Sequence, residues 1–312
     1  MRKTRIVYVG TRTWQLTNQH LDYFLRNDAN IVAYVESPLE NIVTTTTPSG
    51  SYKNIHDVAI ELGKPLYCPK TPKDPEFIET IKGIDPDVII VCGYQFYIPE
   101  TVLNIPRQGV VNFHTSLLPR HCGRHPGFQT IWYGDKETGM TLHYMDAGLD
   151  TGDIISDNRV PVLPGDTVDS LYQRIWDNCE PLVKQLLDDL DSDSVPRTPQ
   201  DPDLYFYNYE LDERDYELDF RQPAQLLKNR VDMMPGKFFI VYQDRKLYVS
   251  ECSTVEESSY SRQFRLRVPF LLNGKLTLAT PRSFLQIDRV VKDGDDVDPL
   301  TLMDDSGLKV VS

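Results

Sequence analysis

Cysteine is scarce in this chain, and the few cysteines follow no pattern. Five are present among 312 residues, an odd number, and no two have the spacing of a C-x-x-C motif. Disulfide scaffolds and structural zinc modules both depend on closely and regularly spaced cysteines. Neither therefore organises this protein. Scattered thiols suit a reducing compartment, so we expect a cytoplasmic location.

Long apolar runs are also missing, and so is an excess of positive charge. The apolar stretch before Gly10 is much shorter than the ~20 residues of a transmembrane helix, and no later run approaches that length. We therefore expect no membrane association. The 33 lysines and arginines against 46 acidic residues give a net charge of -13. This balance disfavours a nucleic-acid partner, because phosphates are bound mainly by Lys and Arg.

The acidic excess is concentrated in one region. Residues 188–219 hold 12 acidic and 2 basic residues, and so contribute -10 of the net charge of -13. Residues 221–282 hold 11 basic and 5 acidic residues, a local charge of +6. Bulk acidity alone therefore does not exclude an anionic partner, such as the phosphates of a nucleotide, for the second part of the chain.

Four short apolar runs in the first half have the composition of buried strands: Arg5–Val9, Ile31–Val35, Asp87–Cys92 and Gly109–Phe113. None alternates strictly between apolar and polar residues, and segments of helical periodicity lie between the early runs. This pattern is typical of a parallel sheet that helices cover on both faces. We therefore predict an α/β fold with a Rossmann-like, mostly parallel sheet domain.

The second half predicts a different architecture. Asp166 caps a helical pattern that continues to about residue 190, and Pro181 should kink or divide that helix. A segment rich in Asp, Ser and Pro follows, and beyond it one helical stretch precedes several short β-type runs. We predict a catalytic domain at 1–190, a linker at 191–204 and a smaller, mostly β domain at 205–312.

A polar pair lies at the end of the fourth predicted strand. Asn112 and His114 are two residues apart, so their side chains share one face where ligands bind in open α/β sheets. An asparagine can donate to a developing oxyanion, and a histidine can move a proton near pH 7. Asp150 lies in a glycine-flanked loop, where its carboxylate could orient the imidazole. Together these residues are the parts of an acyl-transfer site.

One other cluster contains potential metal ligands, namely His121, Cys122 and His125. Its spacing fits no structural zinc site and it has no fourth ligand, so we predict no metal. The remaining three histidines are interpreted as ordinary helix-face or strand-face residues: His20, His56 and His143.

Two separated blocks of sequence carry a family pattern. The first is Asn112-x-His114 with Ser116-Leu-Leu-Pro119, and the second is Thr138-Gly139 followed by Asp150-Thr-Gly-Asp-Ile154. In residue type and spacing both blocks resemble the folate-dependent formyltransferases, which include sugar N-formyltransferases and methionyl-tRNA formyltransferase. The resemblance covers nearly the whole chain. It implies an enzyme that transfers a formyl group from its co-substrate, N10-formyltetrahydrofolate, to an amine.

The resemblance also implies roles for individual residues. Asn112 and a protonated His114 would stabilise the oxyanion formed when the amine attacks, while Asp150 holds His114 and relays the proton. The implied folate-binding residues are Phe96, Tyr97, Ile98, Ser116, Leu117, Leu118, Pro119 and Asp146. The chain departs from the family at two positions. Cys122 stands where an arginine is usual, with Arg124 nearby, and Gln95 stands where a glycine is common.

The acceptor is suggested by a missing basic segment. Enzymes of the tRNA type carry a basic insertion after the second strand, whereas residues 36–52 contain no Lys or Arg. We therefore favour a nucleotide-linked amino sugar as acceptor and expect no nucleic-acid partner. The expected substrate contacts are Arg12, Trp14, Gln15, Arg124 and Tyr207.

Alternatives stay open at this point. One is a methionyl-tRNA formyltransferase acting on initiator tRNA, and others are small acceptors such as glycinamide ribonucleotide or a hydroxyornithine. An alternative of a different class is a catalytically silent module that binds folate or a sugar nucleotide. The intact set of Asn112, His114 and Asp150 argues against the silent module. The resemblance also implies a homodimer.

Overall fold

The computed structural model of the protein describes residues 2–38, 52–209, 211–256, 264–303 and 308–311. The chain divides into two compact units. The first unit comprises Met1–Pro126, Glu137–Pro161 and Tyr172–Asn208. The second comprises Gly127–Lys136, Val162–Leu171 and Tyr209–Ser312.

The first unit is built on a seven-stranded sheet. The strands up to residue 207 are β1 (Ile6–Gly10), β2 (Ile31–Glu36), β3 (Leu66–Tyr67), β4 (Val88–Cys92), β5 (Val110–His114), β6 (Arg120–Cys122), β7 (Glu137–Tyr144), β8 (Ile154–Pro161) and β9 (Phe206–Tyr207). The sheet order is β3-β2-β1-β4-β5-β7-β8. Strands β1 to β5 run parallel, whereas β7 is antiparallel to β5 and β8 to β7. Strands β6 and β9 form a separate parallel pair.

Helices connect these strands. They are α1 (Gln15–Arg26), α2 (Ile55–Glu61), α3 (Pro75–Ile84), α4 (Glu100–Leu103), α5 (Pro126–Tyr133), α6 (Val168–Asp177) and α7 (Glu180–Asp191). Helix α6 ends and α7 begins near the position that Pro181 indicates. Pro181 lies in the first turn of α7, where its missing N–H costs no helical hydrogen bond.

The central strands β1 and β4 are buried along their whole length, which explains their continuous apolar sequence. On one face of the sheet, Val7 packs in a core that includes Ile81 of α3 and Val102 of α4. On the other face, the ring of Tyr8 lies 5.6 Å from that of Phe24 in α1. The predicted α/β fold and its mostly parallel sheet are thus confirmed.

The second unit is mostly β, as predicted. Its strands are β10 (Phe239–Tyr242), β11 (Arg245–Val255), β12 (Phe270–Leu272), β13 (Lys275–Ala279), β14 (Phe284–Lys292), β15 (Asp295–Val297) and β16 (Lys309–Val311). They form a sheet in the order β10-β11-β14-β13-β12-β16, with β15 paired to β14. One helix, α8 (Ala224–Met233), contacts β11 and β14. Within the described ranges, no helix is long and apolar enough to cross a membrane.

The units interleave along the chain, whereas the sequence predicted contiguous domains. Residues 127–136 group with the second unit because they pack against α8. The guanidinium of Arg230 lies 3.9 Å from the ring centre of Trp132, and its Nε and Nη2 donate to the Trp132 carbonyl oxygen at 3.1 and 2.9 Å. The predicted linker is also partly bonded, since Thr198 and Ile154 exchange backbone hydrogen bonds. Local sequence patterns do not reveal such long-range partners.

The buried His20 of α1 makes stability depend on pH. Burial lowers its pKa to about 4, although its Nδ1 lies 2.8 Å from the Leu16 carbonyl oxygen, whose hydrogen bond partly opposes the shift. The unfolded chain therefore binds more protons than the folded one between pH 4 and 6.5. The contribution of the neutral His20 to the free energy of unfolding is fully present above the pKa of the unfolded state. It falls as the pH drops toward 4.

We expect acidification from pH 7 to pH 5 to cost the wild type about 2 kcal/mol more than the variant His20→Phe. The phenyl ring keeps the edge-on packing against Phe113, whose ring centre lies 5.3 Å from the imidazole. Urea unfolding of both proteins at the two pH values measures the difference. An equal loss of free energy in the two proteins would contradict this origin of the acid sensitivity.

Candidate active site

A cavity of about 820 Å³ opens in the first unit at the carboxyl ends of β4 and β5. Its walls come from the turn after β4, from the end of β5, from residues 123–126 and from the β7–β8 loop. Loops diverge at the carboxyl edge of a parallel sheet, so ligands commonly bind there. Asn112, His114 and Asp150 all line this cavity.

Asn112 is held by a histidine on the neighbouring strand. Asn112 of β5 and His143 of β7 lie opposite each other in the register, with Asn112 Nδ2 3.1 Å from His143 Nε2. His143 Nδ1 is 2.8 Å from the Tyr144 carbonyl oxygen, which only accepts, so Nδ1 carries the hydrogen. Burial lowers the pKa of His143 to about 4, against the opposing effect of Asp150. His143 is therefore neutral at pH 7, and its bare Nε2 accepts from the Asn112 amide.

His114 is held at both ring nitrogens. Nε2 lies 2.9 Å from the His121 carbonyl oxygen, so Nε2 is the donor in that hydrogen bond. Nδ1 lies 3.5 Å from Asp150 Oδ2. Nδ1 is therefore the nitrogen that gains or loses a proton beside the carboxylate. In this arrangement the Nε2 hydrogen is engaged by backbone, so the predicted oxyanion contact of a protonated His114 would have to use the hydrogen on Nδ1.

Asp150 is fixed by its backbone as well as by its side chain. Its φ of 56° is left-handed, and Gln200 Nε2 donates to the carbonyl oxygens of Asp150 and Gly152 at 2.8 and 2.7 Å. The backbone N–H of Gly123 donates to Asp150 Oδ2 at 2.8 Å. Gly123 has a φ of 91°, and a Cβ there would lie 2.8 Å from the Tyr207 ring. Only glycine suits this close approach.

Two tyrosine hydroxyls hold the β7–β8 loop at the cavity rim. Tyr97 donates to the Ala147 carbonyl oxygen at 2.9 Å, and Tyr205 donates to that of Leu149 at 3.2 Å. Asp146 closes the loop internally, since its Oδ1 accepts from a backbone N–H and a hydroxyl within residues 148–151. The loop that ends at Asp150 is thus fixed before any substrate enters.

Comparison with known proteins decides the family. The model of the formyl transferase family matches residues 15–185 of this chain. The chain belongs to that family. A methionyl-tRNA formyltransferase from Syntrophus aciditrophicus is 31% identical over 266 residues, which cover 83% of this chain and 82% of that protein. The protein is therefore an enzyme, a formyltransferase.

Solved structures share the fold of this formyltransferase. An N-formyltransferase from Helicobacter canadensis, crystallised with folinic acid and dTDP-3-aminofucose, has a TM-score of 0.64 at 15% identity and covers 91% of this chain and 99% of that one. A sugar N-formyltransferase from Shewanella has a TM-score of 0.58 at 18% identity and covers 80% and 97%. At these identities the likeness shows the fold alone.

Six of the thirteen predicted ligand contacts of the formyltransferase line the cavity. Besides the three predicted catalytic residues, the predicted residues that line it are Trp14, Phe96, Tyr97, Arg124, Asp146 and Tyr207. They come from five separate segments, at residues 14, 96–97, 124, 146 and 207. The first two segments meet because β1 and β4 are neighbours and end at the same edge of the sheet. Their individual roles stay predictions.

Two predicted substrate contacts of the formyltransferase are engaged elsewhere and do not line the cavity. Arg12 forms an ion pair with Glu36, which is 2% exposed at the end of β2. Gln15 hydrogen-bonds Gln173 of α6. Both residues follow β1 in the chain, but these polar partners hold their side chains outside the cavity lining.

The predicted folate contacts Ile98 and 116–119 likewise do not line the cavity. Ile98 is 4% exposed and packs in the apolar core. Ser116 Oγ donates to the Arg120 carbonyl oxygen at 2.8 Å, and the backbone N–H of Leu118 donates to Thr141 Oγ1 at 3.1 Å. This turn braces the loop beside the site, so the structure gives no support to its direct contact with folate.

Several cavity residues were not predicted, and three of them are important for the geometry of the site. His143 was interpreted as an ordinary strand-face residue, but the face it occupies is that of the cavity. Its role follows only once β7 is known to pair antiparallel with β5, which places it opposite Asn112. Tyr172 and Trp176 of α6 form a stacked aromatic pair with ring centres 5.2 Å apart, and both line the cavity. Their spacing of four residues marks one helix face.

No metal site lies beside these cavity residues in the part of the chain that the structure describes. There, no three His, Cys, Asp or Glu side chains are grouped to hold an ion. The imidazole of His121 is instead engaged by Asn208, with His121 Nδ1 3.1 Å from Asn208 Oδ1. Burial raises the pKa of the Cys122 thiol to about 12, which makes it a poor metal ligand and nucleophile.

We expect His143→Phe to lower kcat for formyl transfer about 10-fold to 100-fold, because Asn112 loses the acceptor that orients its amide. His143→Gln offers an amide oxygen in a similar place and should retain several times more activity than the phenylalanine variant. Steady-state kinetics of the two variants at pH 7 make the comparison. Equal activity in both would show that the Asn112–His143 hydrogen bond has no part in the reaction.

Proposed function

We propose that this formyltransferase transfers the formyl group of N10-formyltetrahydrofolate to the primary amine of a nucleotide-linked amino sugar. The observation that carries the transfer chemistry is the grouping of Asn112, His114 and Asp150 at one end of the cavity. An oriented amide donor beside a histidine–carboxylate pair is what attack of an amine on a carbonyl requires. When bound, the folate supplies a formyl group whose carbonyl carbon the amine attacks.

The residues divide the work in this proposal. One N–H of the Asn112 amide donates to His143, which leaves the other N–H to stabilise the negative charge that develops on the formyl oxygen. The proton of the attacking amine passes to the His114–Asp150 pair at Nδ1, the nitrogen 3.5 Å from the carboxylate. The same pair returns a proton to the leaving nitrogen of the folate. Asp150 keeps the imidazolium stable while it exists.

The cavity offers groups suited to a folate. Flat rings lie along one wall, where those of Tyr94 and Phe96 have centres 5.4 Å apart. The β7–β8 loop forms another wall, and its peptide groups can exchange hydrogen bonds with a flat heterocycle. In the proposal Phe96 and Tyr97 pack on the folate, and its pterin lies beside residues 146–150.

Charge at the cavity favours a small acceptor. Among the described lining residues, Arg124 is the one lysine or arginine. Binding of a tRNA requires many cations at phosphates, because each contact releases counterions. The segment 36–52, which the sequence shows to lack Lys and Arg, falls largely at 39–51, outside the described residues. One or two phosphates beside Arg124 and a ring on the half-exposed Tyr207 suit a nucleotide-linked sugar.

Initiator tRNA is the second candidate acceptor. The Syntrophus relative, which is 31% identical and matches 83% of this chain, is named a methionyl-tRNA formyltransferase. The local charge of +6 at 221–282 would also suit an RNA phosphate backbone. Both candidates use the same formyl donor and the same three catalytic residues. The homodimer and the cytoplasmic location stay predictions for sedimentation and cell fractionation to test.

An acceptor panel separates the two candidates. We expect tetrahydrofolate to form, measured by absorbance, when the enzyme receives N10-formyltetrahydrofolate with nucleoside-diphosphate amino sugars. Charged initiator tRNA at micromolar concentration should give no more than the background rate. Formylation of the tRNA alone would replace the proposed acceptor by the second candidate. Tight binding of folate with no transfer to any amine would instead support a silent binding module.

We expect Asn112→Ala to reduce kcat about 10²-fold to 10³-fold without unfolding the protein, because one preorganised oxyanion donor is lost. Asn104→Ala is the matched control, since Asn104 is an exposed residue of the same unit at the end of α4. Turnover and thermal unfolding of both variants are compared with the wild type. Near-wild-type turnover in Asn112→Ala would contradict the proposed chemistry.

A further inference from the structure

The segment after the predicted linker returns to the active site. Strand β9 pairs with β6, and the backbone N–H of Phe206 donates to the Pro119 carbonyl oxygen at 3.0 Å. The N–H of Asn208 donates to the Cys122 carbonyl oxygen at 3.1 Å. These hydrogen bonds lie on either side of His121. The backbone around His121 is therefore held by residues more than eighty positions away in sequence.

The side chain of Asn208 holds the imidazole of His121. His121 Nδ1 lies 3.1 Å from Asn208 Oδ1, and the two residues are 2% and 3% exposed. The ring of Phe206 meets the imidazole edge-on, with centres 5.6 Å apart. His121 has a φ of 61°, a left-handed conformation that a non-glycine residue keeps only when its surroundings impose it. Asn208 and Phe206 are part of those surroundings.

The conformation of His121 determines the state of the catalytic histidine. The His121 carbonyl oxygen accepts from His114 Nε2 at 2.9 Å, which keeps the hydrogen on Nε2. Nδ1, the nitrogen beside Asp150, is then the one left to exchange a proton. Rotation of the His121 peptide would remove the acceptor and allow the other tautomer, with its hydrogen on Nδ1 and a bare Nε2.

We infer that Asn208 is a positioning residue for His114, acting through His121, and that it selects which nitrogen of the catalytic imidazole exchanges the proton. The inference rests on the proposed formyl transfer and names a residue that supports it from outside the cavity. Packing alone does not explain an asparagine here, because its Nδ2 is buried and has no hydrogen-bond partner among the described residues. An apolar side chain would avoid that desolvation cost.

The test combines kinetics with histidine NMR on the full chain. We expect Asn208→Ala to lower kcat about 10-fold with KM for the folate unchanged within about twofold, because proton transfer is affected and not binding. Asn208→Asp keeps an acceptor for His121 Nδ1 and should recover most of the lost kcat. The matched control is Asn229→Ala in α8, where the Asn229 amide oxygen accepts only a side-chain hydrogen bond from Gln225 among the bonds of the described chain.

Nitrogen-15 spectra report the tautomer directly, and six histidines make assignment by single substitution practical. In the wild type we expect the signal of a hydrogen fixed on His114 Nε2, and in Asn208→Ala an averaged or exchanged tautomer in a folded protein. An unchanged His114 spectrum and unchanged kcat in Asn208→Ala would overturn the inference. So would equal losses of kcat and thermal stability in the alanine and aspartate variants, which would indicate a structural role. If no amine is formylated, the proposed function fails, while the NMR comparison still decides the tautomer.

Discussion

The buried carboxylate of Asp150 is the charge around which the active site is arranged. Its side chain is 11% exposed, and a buried charge is tolerated only with partners that compensate for lost water. The Gly123 N–H donates to one carboxylate oxygen, and His114 Nδ1 faces the same oxygen. Meeting these demands requires the loop after β7, the turn before α5 and the end of β5 to converge at one place.

The register between β5 and β7 makes this convergence possible. Parallel strands alone would place Asn112 and His114 at the carboxyl ends of the strands. The antiparallel β7 adds His143 directly opposite Asn112. The same strand leads into the loop that carries Asp150. One switch from parallel to antiparallel pairing therefore supplies both the residue that orients the amide and the carboxylate beside the imidazole.

The sequence predicted three residues that the structure brings together in the cavity, but it did not predict the side chains that hold them. Asn112, His114 and Asp150 could be found because each lies at the end of a recognisable strand or in a glycine-flanked loop with family spacing. His143 could not, since its importance depends on a cross-strand register that local patterns do not encode. Arg12 and Gln15 are predicted substrate contacts, but Glu36 and Gln173, distant in sequence, determine where their side chains point.

The interleaving of the two units limits how this protein could evolve by recombination. Trp132 belongs to the second unit through its contacts with Arg230, yet it lies between β6 and β7 of the first unit in the chain. A crossover within residues 191–204 would join a foreign C-terminal half to a chain that still contains residues 127–136 shaped for α8. Exchange of the whole second unit needs three coordinated replacements. Substitution of single cavity residues avoids this requirement, because every lining residue belongs to the first unit.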